Sequence, residues 1–160
     1  MPLIGVIGCG RVGVSAAIQI ALKDLGDLVL VDIVQGLPQG EALDLSHMAS
    51  ILGIDVEITG SNDYRDISGA DLAVITAGVV RKADMTRMDL LQKNTAIVSD
   101  VSEKVREYAP NSKVIVVTNP LDVMTYVALR KTGFERERVI GFSGLLDFGR
   151  VRYLVAKELG

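Results

Sequence analysis

The chain has 160 residues, 49% hydrophobic and 23% charged, with a formal net charge of -3. That length is a prior for one domain with a real core, and the acidic balance argues against a nucleic-acid-binding face. No apolar run approaches the roughly 20 residues of a membrane span. The lone cysteine, Cys9, excludes an intrachain disulfide and, with no leader-like segment at the start, points to a reducing, cytoplasmic setting.

In chain order, the apolar run at 3–7 reads as a buried strand closed by Gly8. Residues 12–25 carry small and apolar side chains at helical spacing, stopped by Gly26. A second buried strand is predicted over 28–32, a helix over 40–52, a partly polar strand over 55–60 and a fourth strand over 71–78. A long polar loop follows, then a helix over 86–108 stopped by Pro110. A fifth strand over 113–120, a helix over 121–133, a sixth strand over 138–143 and a last helix over 145–159 complete the pattern. Strands made wholly of Val, Ile and Leu are covered on both faces. Alternation with helices predicts an α/β fold, a Rossmann-type doubly wound parallel six-stranded sheet in a single domain.

The stretch "VIGCGRVG" (6–13) places glycines at Gly8, Gly10 and Gly13, between a first strand and the helix it opens. Asp32 ends the second strand about 20 residues further on. Gly8 permits the tight turn, Gly10 lets a pyrophosphate approach the backbone, and Gly13 lets helix and strand pack closely. The helix N-terminus supplies N–H groups to phosphate. Asp32 suits ribose hydroxyls and repels a 2′-phosphate, which favours NAD over NADP. A generic turn with a strand-end acid is the plainer reading. Cys9 reads as a small residue facing the cofactor.

Three later stretches carry chemistry. In "TAGVVRKADMTRMDLLQKN" (76–94), Arg81 and Arg87 lie beyond the carboxyl end of the fourth strand, where open α/β sheets bind ligands. Two guanidinium forks suit a carboxylate substrate; a solvated basic loop is the alternative. In "VTNPLDVMTY" (117–126), Asn119 either binds a ligand or caps the next helix. In "LLDFGRVRY" (145–153), Asp147 and Arg150 share a helix face and form either a site or a surface ion pair. No metal-ligand cluster is read.

Taken together, "GCGRVG", "DLSH", "TAGVVRK", "MTRMDLL", "VTNPLDVMTY" and "LLDFGRVRY" make the chain resemble the lactate/malate dehydrogenase family, and most of all its lactate-dehydrogenase-like, archaeal-type malate branch. The resemblance implies an NAD cofactor and a malate/oxaloacetate substrate. It implies that Arg81 selects the second carboxylate, that Arg87 closes over the substrate and polarises its carbonyl, and that Arg150 clamps the first carboxylate. Asn119 then meets both substrate and cofactor, and Asp147 orients a catalytic histidine. Gly8, Cys9, Gly10, Arg11, Val12, Gly13, Asp32, Thr76, Ala77, Gly78, Asn94, Val117, Thr118 and Asn119 become cofactor contacts.

The implied histidine lies beyond the Asp147 motif, and the one histidine here, His47, stands in the wrong motif. Residues 1–160 are therefore expected to be the NAD-binding half of a two-domain enzyme, without its substrate domain and inactive alone. A dimer or tetramer is implied for the whole protein, with the helix near 40–50 as a subunit contact. A lactate dehydrogenase and a non-catalytic nucleotide-binding module are the alternatives. The resemblance departs at Ala83-Asp84, where proline-glycine is common, and at Phe148-Gly149.

Overall fold

The computed structural model describes residues 1–80 and 84–160. Six strands form one all-parallel sheet: β1 (Leu3–Ile7), β2 (Asp27–Val31), β3 (Ile58–Ser61), β4 (Leu72–Ile75), β5 (Lys113–Val116) and β6 (Val139–Gly141). Their order is β3-β2-β1-β4-β5-β6. Five helices connect or follow them: α1 (Arg11–Leu22), α2 (Leu37–Leu52), α3 (Arg87–Tyr108), α4 (Leu121–Thr132) and α5 (Leu145–Leu159). The chain starts in the middle of the sheet, builds outward to β3, then returns to β4 on the other side of β1. That reversal opens a crevice at the carboxyl ends of β1 and β4, the place where doubly wound sheets bind ligands.

Alternation within the strands feeds two cores. Val29, Val31, Ala73 and Ile75 face the layer of α3 and α4, packing with Val98, Val101, Met124 and Ala128. Leu28, Leu30 and Val74 face the other layer, with Ala17 and Ala21 of α1 and Ala42 and Leu45 of α2. In β1, β2 and β4 nearly every side chain is thus buried on one side or the other, which is why these strands read as unbroken apolar runs, while Thr59 of β3, Lys113 of β5 and Ile140 of β6 are exposed. The alanines let α1 lie close to the sheet.

Helix ends follow local chemistry. Thr86 and Asp89 form a reciprocal capping box that starts α3. Gly53 and Gly133, at φ 67° and 68°, stop α2 and α4 in the left-handed conformation. Several boundaries differ from the pattern reading: α1 ends at Leu22, and β4, β5 and β6 end at Ile75, Val116 and Gly141, before the loops that follow them. α2 starts at Leu37 rather than near Gly40, because Pro38 occupies its first turn, where a missing N–H costs nothing. β3 pairs with β2 only from Leu28↔Ile58 onward, so residues 55–57 fall outside it. Short 3-10 turns at Tyr64–Ile67 and Arg136–Arg138 precede β4 and β6 and are too short to show a period in the sequence.

α5 breaks the rule of the other helices. None of its residues is buried, and Leu145, Leu146, Phe148, Val151, Tyr153, Leu154, Val155 and Leu159 are all exposed. Among the described residues, no helix is long and apolar enough to cross a membrane.

Candidate functional site

The turn after β1 is built by close contact. Gly8 sits at φ +104°, and a Cβ there would lie 2.6 Å from the backbone nitrogen of Ala77. A Cβ on Gly13 would lie 1.9 Å from the carbonyl oxygen of Gly8, so helix α1 seats directly on the turn. Thr76 Oγ1 donates to that same carbonyl at 2.8 Å and locks it to the end of β4. Gly10 is different: its φ is an ordinary -75°, and a Cβ there would meet no atom within 4 Å. Nothing among the described residues requires glycine at that position. The open space in front of α1 fits a group brought from outside against the backbone.

Asp32 joins this turn to the loop after β2. Its Oδ2 accepts from Cys9 N–H at 2.7 Å and its Oδ1 from Val34 N–H at 2.9 Å. Asn62, unnoticed in the sequence, holds the same loop: its Nδ2 donates to the Asp32 carbonyl at 2.6 Å and the Val34 carbonyl at 2.9 Å. A cleft of about 570 Å³ opens here, lined by Gly8, Gly10, Asp32, Tyr64, Ala77 and Asp100 among others. Burial, then the nearby Asp100 and Asp32 carboxylates, push the Tyr64 hydroxyl up to about 12. Tyr64 and Asp100 carried no pattern signal, because they enter the cleft from elements far apart in sequence.

A second cleft of about 800 Å³ continues past the end of β5. It gathers Thr76, Gly78, Asn94, Val117, Thr118, Asn119, Asp147 and Arg150 on one surface, with Val12 of α1 at its edge. Asp147 Oδ1 accepts from Arg150 Nη1 at 2.8 Å, and both side chains are largely exposed. Thr118 Oγ1 donates to the Ala77 carbonyl at 2.8 Å, tying the ends of β4 and β5 together.

Several sequence readings change in three dimensions. Cys9 does not face the cleft; it is 3% exposed and packs into the core of the α1 and α2 layer. Burial, aided by Asp32 and Glu41, pushes its thiol up to about 12. Only its N–H reaches the site, where Asp32 takes it. Asn119 does not cap α4, which starts from Pro120 with no side-chain cap bond. It is exposed and lines the second cleft. Asn94 lines that cleft too, yet its amide is engaged by protein: Oδ1 accepts from Val79 N–H at 2.8 Å, and Nδ2 donates to the Asn119 carbonyl at 2.7 Å and the Val79 carbonyl at 3.3 Å.

Arg11 and Arg87, each the first residue of its helix, are exposed and line neither cleft. Arg81 lies outside the described residues, as does Ala83. Asp84 and Phe148 are both exposed. His47 is exposed on α2 and lines neither cleft.

Residues 3–141 match the family described as lactate/malate dehydrogenase, NAD binding domain. The chain is 57% identical over 159 residues to a malate dehydrogenase of Pyrobaculum islandicum, covering 99% of this chain and 52% of that protein. The malate dehydrogenase of Picrophilus torridus, solved in its apo form, superposes with a TM-score of 0.95 at 42% identity, covering 99% of this chain and 50% of that one. The Plasmodium falciparum malate dehydrogenase in complex with NADH superposes at 0.89 with 39% identity, covering 98% and 48%. The chain spans about half the length of the curated relatives it matches.

Proposed function

This chain belongs to the lactate/malate dehydrogenase family, matching its NAD-binding domain, and from that premise we propose that it is the cofactor half, residues 1–160, of an NAD-dependent malate dehydrogenase. The observation that carries the reading is the continuity of the two clefts. The glycine turn and Asp32 stand at one end, and Asn119, Asp147 and Arg150 converge at the other. A plain nucleotide-binding module has no use for the second set.

The residues fit NAD. Gly10 leaves the space a pyrophosphate needs, and the start of α1 offers backbone N–H groups to it. Each carboxylate oxygen of Asp32 makes one hydrogen bond here, and a second lone pair on each remains for the ribose hydroxyls. The same charge repels a 2′-phosphate. When bound, the nicotinamide gives or takes the hydride exchanged with the substrate carbon.

Around the substrate, Arg150 leaves its exposed pair with Asp147 to grip a carboxylate in a bidentate fork. Asp147 is then free to accept the N–H of an imidazole and hold its tautomer. Asn119 stands between substrate and cofactor. Arg81 supplies the cation for the second carboxylate, which makes the substrate malate or oxaloacetate, and Arg87, exposed and outside both clefts here, closes over the substrate and polarises its carbonyl. The proton donor is not among these residues, since His47 lies away from both clefts; these residues alone are therefore inactive.

The exposed Leu43, Ile51 and Leu52 of α2 support subunit contact in a dimer or tetramer. A reduced, buried Cys9 agrees with a cytoplasmic setting.

Calorimetric titration with NADH and NADPH tests the reading. Saturable NADH binding with far weaker NADPH binding is the expected result. Equal binding of both refutes the role of Asp32, and binding of neither refutes the cofactor site. In the whole enzyme, Arg81→Gln is expected to move preference from oxaloacetate towards pyruvate; an unchanged ratio refutes the dicarboxylate assignment.

A further inference from the structure

We infer that Asn94 acts on the cofactor indirectly, as a latch that joins the loops after β4 and β5 and so sets the position of the nicotinamide end. This rests on the proposed cofactor reading and deepens it.

Asn94 is 2% exposed. Both N–H bonds of its amide are spent on backbone carbonyls, those of Asn119 and Val79, while its oxygen holds Val79 N–H. No donor is left for a ligand. Gly78 covers the oxygen closely, since a Cβ on Gly78 would stand 3.1 Å from Oδ1 and 2.6 Å from Thr118 Cγ2. Residues 15 and 25 positions away are thus bound to one α3 side chain. Both loops line the second cleft, where the reacting end of the cofactor must lie.

The molecule carries its own control. Asn62 does the same at the other end, donating to two carbonyls of the Asp32 loop and accepting from Gln39 Nε2 at 2.8 Å. One asparagine thus holds the Asp32 loop and the other the Asn119 loop.

The test titrates the chain and three variants with NADH and with ADP-ribose, which lacks the nicotinamide. Asn94→Ala is expected to weaken NADH about ten-fold, the cost of roughly 1.4 kcal/mol of lost hydrogen bonding, and to leave ADP-ribose within about two-fold. Asn62→Ala is expected to weaken both ligands by the same factor. Asn94→Asp keeps the acceptor and loses both donors, so the latch predicts a loss at least as large as that of Asn94→Ala. Retained NADH affinity in Asn94→Asp, or equal weakening of ADP-ribose in Asn94→Ala, overturns the inference.

Amide hydrogen exchange supplies a reading without ligand. Val79 N–H is expected to exchange faster in Asn94→Ala and unchanged in Asn62→Ala; equal protection in both overturns the latch. Failure of the unaltered chain to bind NADH refutes the cofactor reading instead, and the exchange result still decides the latch.

Discussion

At the Asp32 end, the cleft is walled by residues that the core already holds: Ile7 and Val31 are nearly inaccessible, and Gly8 and Gly13 are pressed against backbone. At the Asp147 end, the wall is α5, on which every residue is exposed. Folding of the sheet therefore organises the Asp32 end by itself. The Asp147 end relies on one helix that carries charged residues and exposed apolar side chains together and buries none of them. The ion pair of Asp147 and Arg150 consequently stands on the least buried helix.

Substitutions that strike each end should show this contrast, and the largest effect is expected at Gly13. Gly13→Ala drives a Cβ to 1.9 Å from the Gly8 carbonyl, where only backbone can yield, so a loss of about 3 kcal/mol or more is expected in urea unfolding. Gly10→Ala sharpens the point: stability should hold within about 0.5 kcal/mol while NADH binding is lost, because the added methyl fills ligand space alone. A Gly13→Ala chain as stable as the parent would mean that α1 can slide off the turn.

Next in size, Leu30→Ala in the buried centre of the sheet should cost about 2–5 kcal/mol, whereas Leu154→Ala on α5 should change stability by less than about 0.5 kcal/mol. Comparable losses at the two positions would show that α5 is packed in solution, and the contrast between the two ends would disappear.

Cys9 gives a chemical reading of the same core. In the native chain its thiol, pushed up to about 12, should resist alkylation at about pH 8 and react once urea exposes it. The sign follows from the raised value: above the unfolded value of 9.0, the unfolded chain releases a proton that the folded chain keeps. This contribution to stability is whole below pH 9.0 and falls as pH rises towards about 12. Stability rising across that window would contradict the burial of the thiol.

A small effect, of opposite sign, belongs to Ser102, whose buried hydroxyl has no hydrogen-bond partner among the described residues. Ser102→Ala removes an unsatisfied group from α3 and should leave stability unchanged or raise it by up to about 1 kcal/mol in thermal melts.

The order of strands and helices was readable because each element advertises itself within a few residues. Unbroken Val, Ile and Leu runs mean strands covered on two faces, and the glycine spacing marked the turn after β1 that Asp32 joins. Asn94 was harder: its residue type and place in a familiar motif pointed to the cofactor, while its actual partners, Val79 and Asn119, sit on different loops. The same holds for Cys9, whose side chain could not be assigned to core or cleft until α1 and the sheet were placed together.

By itself, then, the sequence determined the parallel α/β architecture and the glycine turn, since periodicity and backbone freedom are local properties. Only the tertiary structure decided which of the polar groups near the crevice face a ligand and which face the protein. That choice depends on contacts such as Gly8 with Ala77 and Cys9 with Asp32, made between elements whose separation in the chain carries no trace of their distance in space.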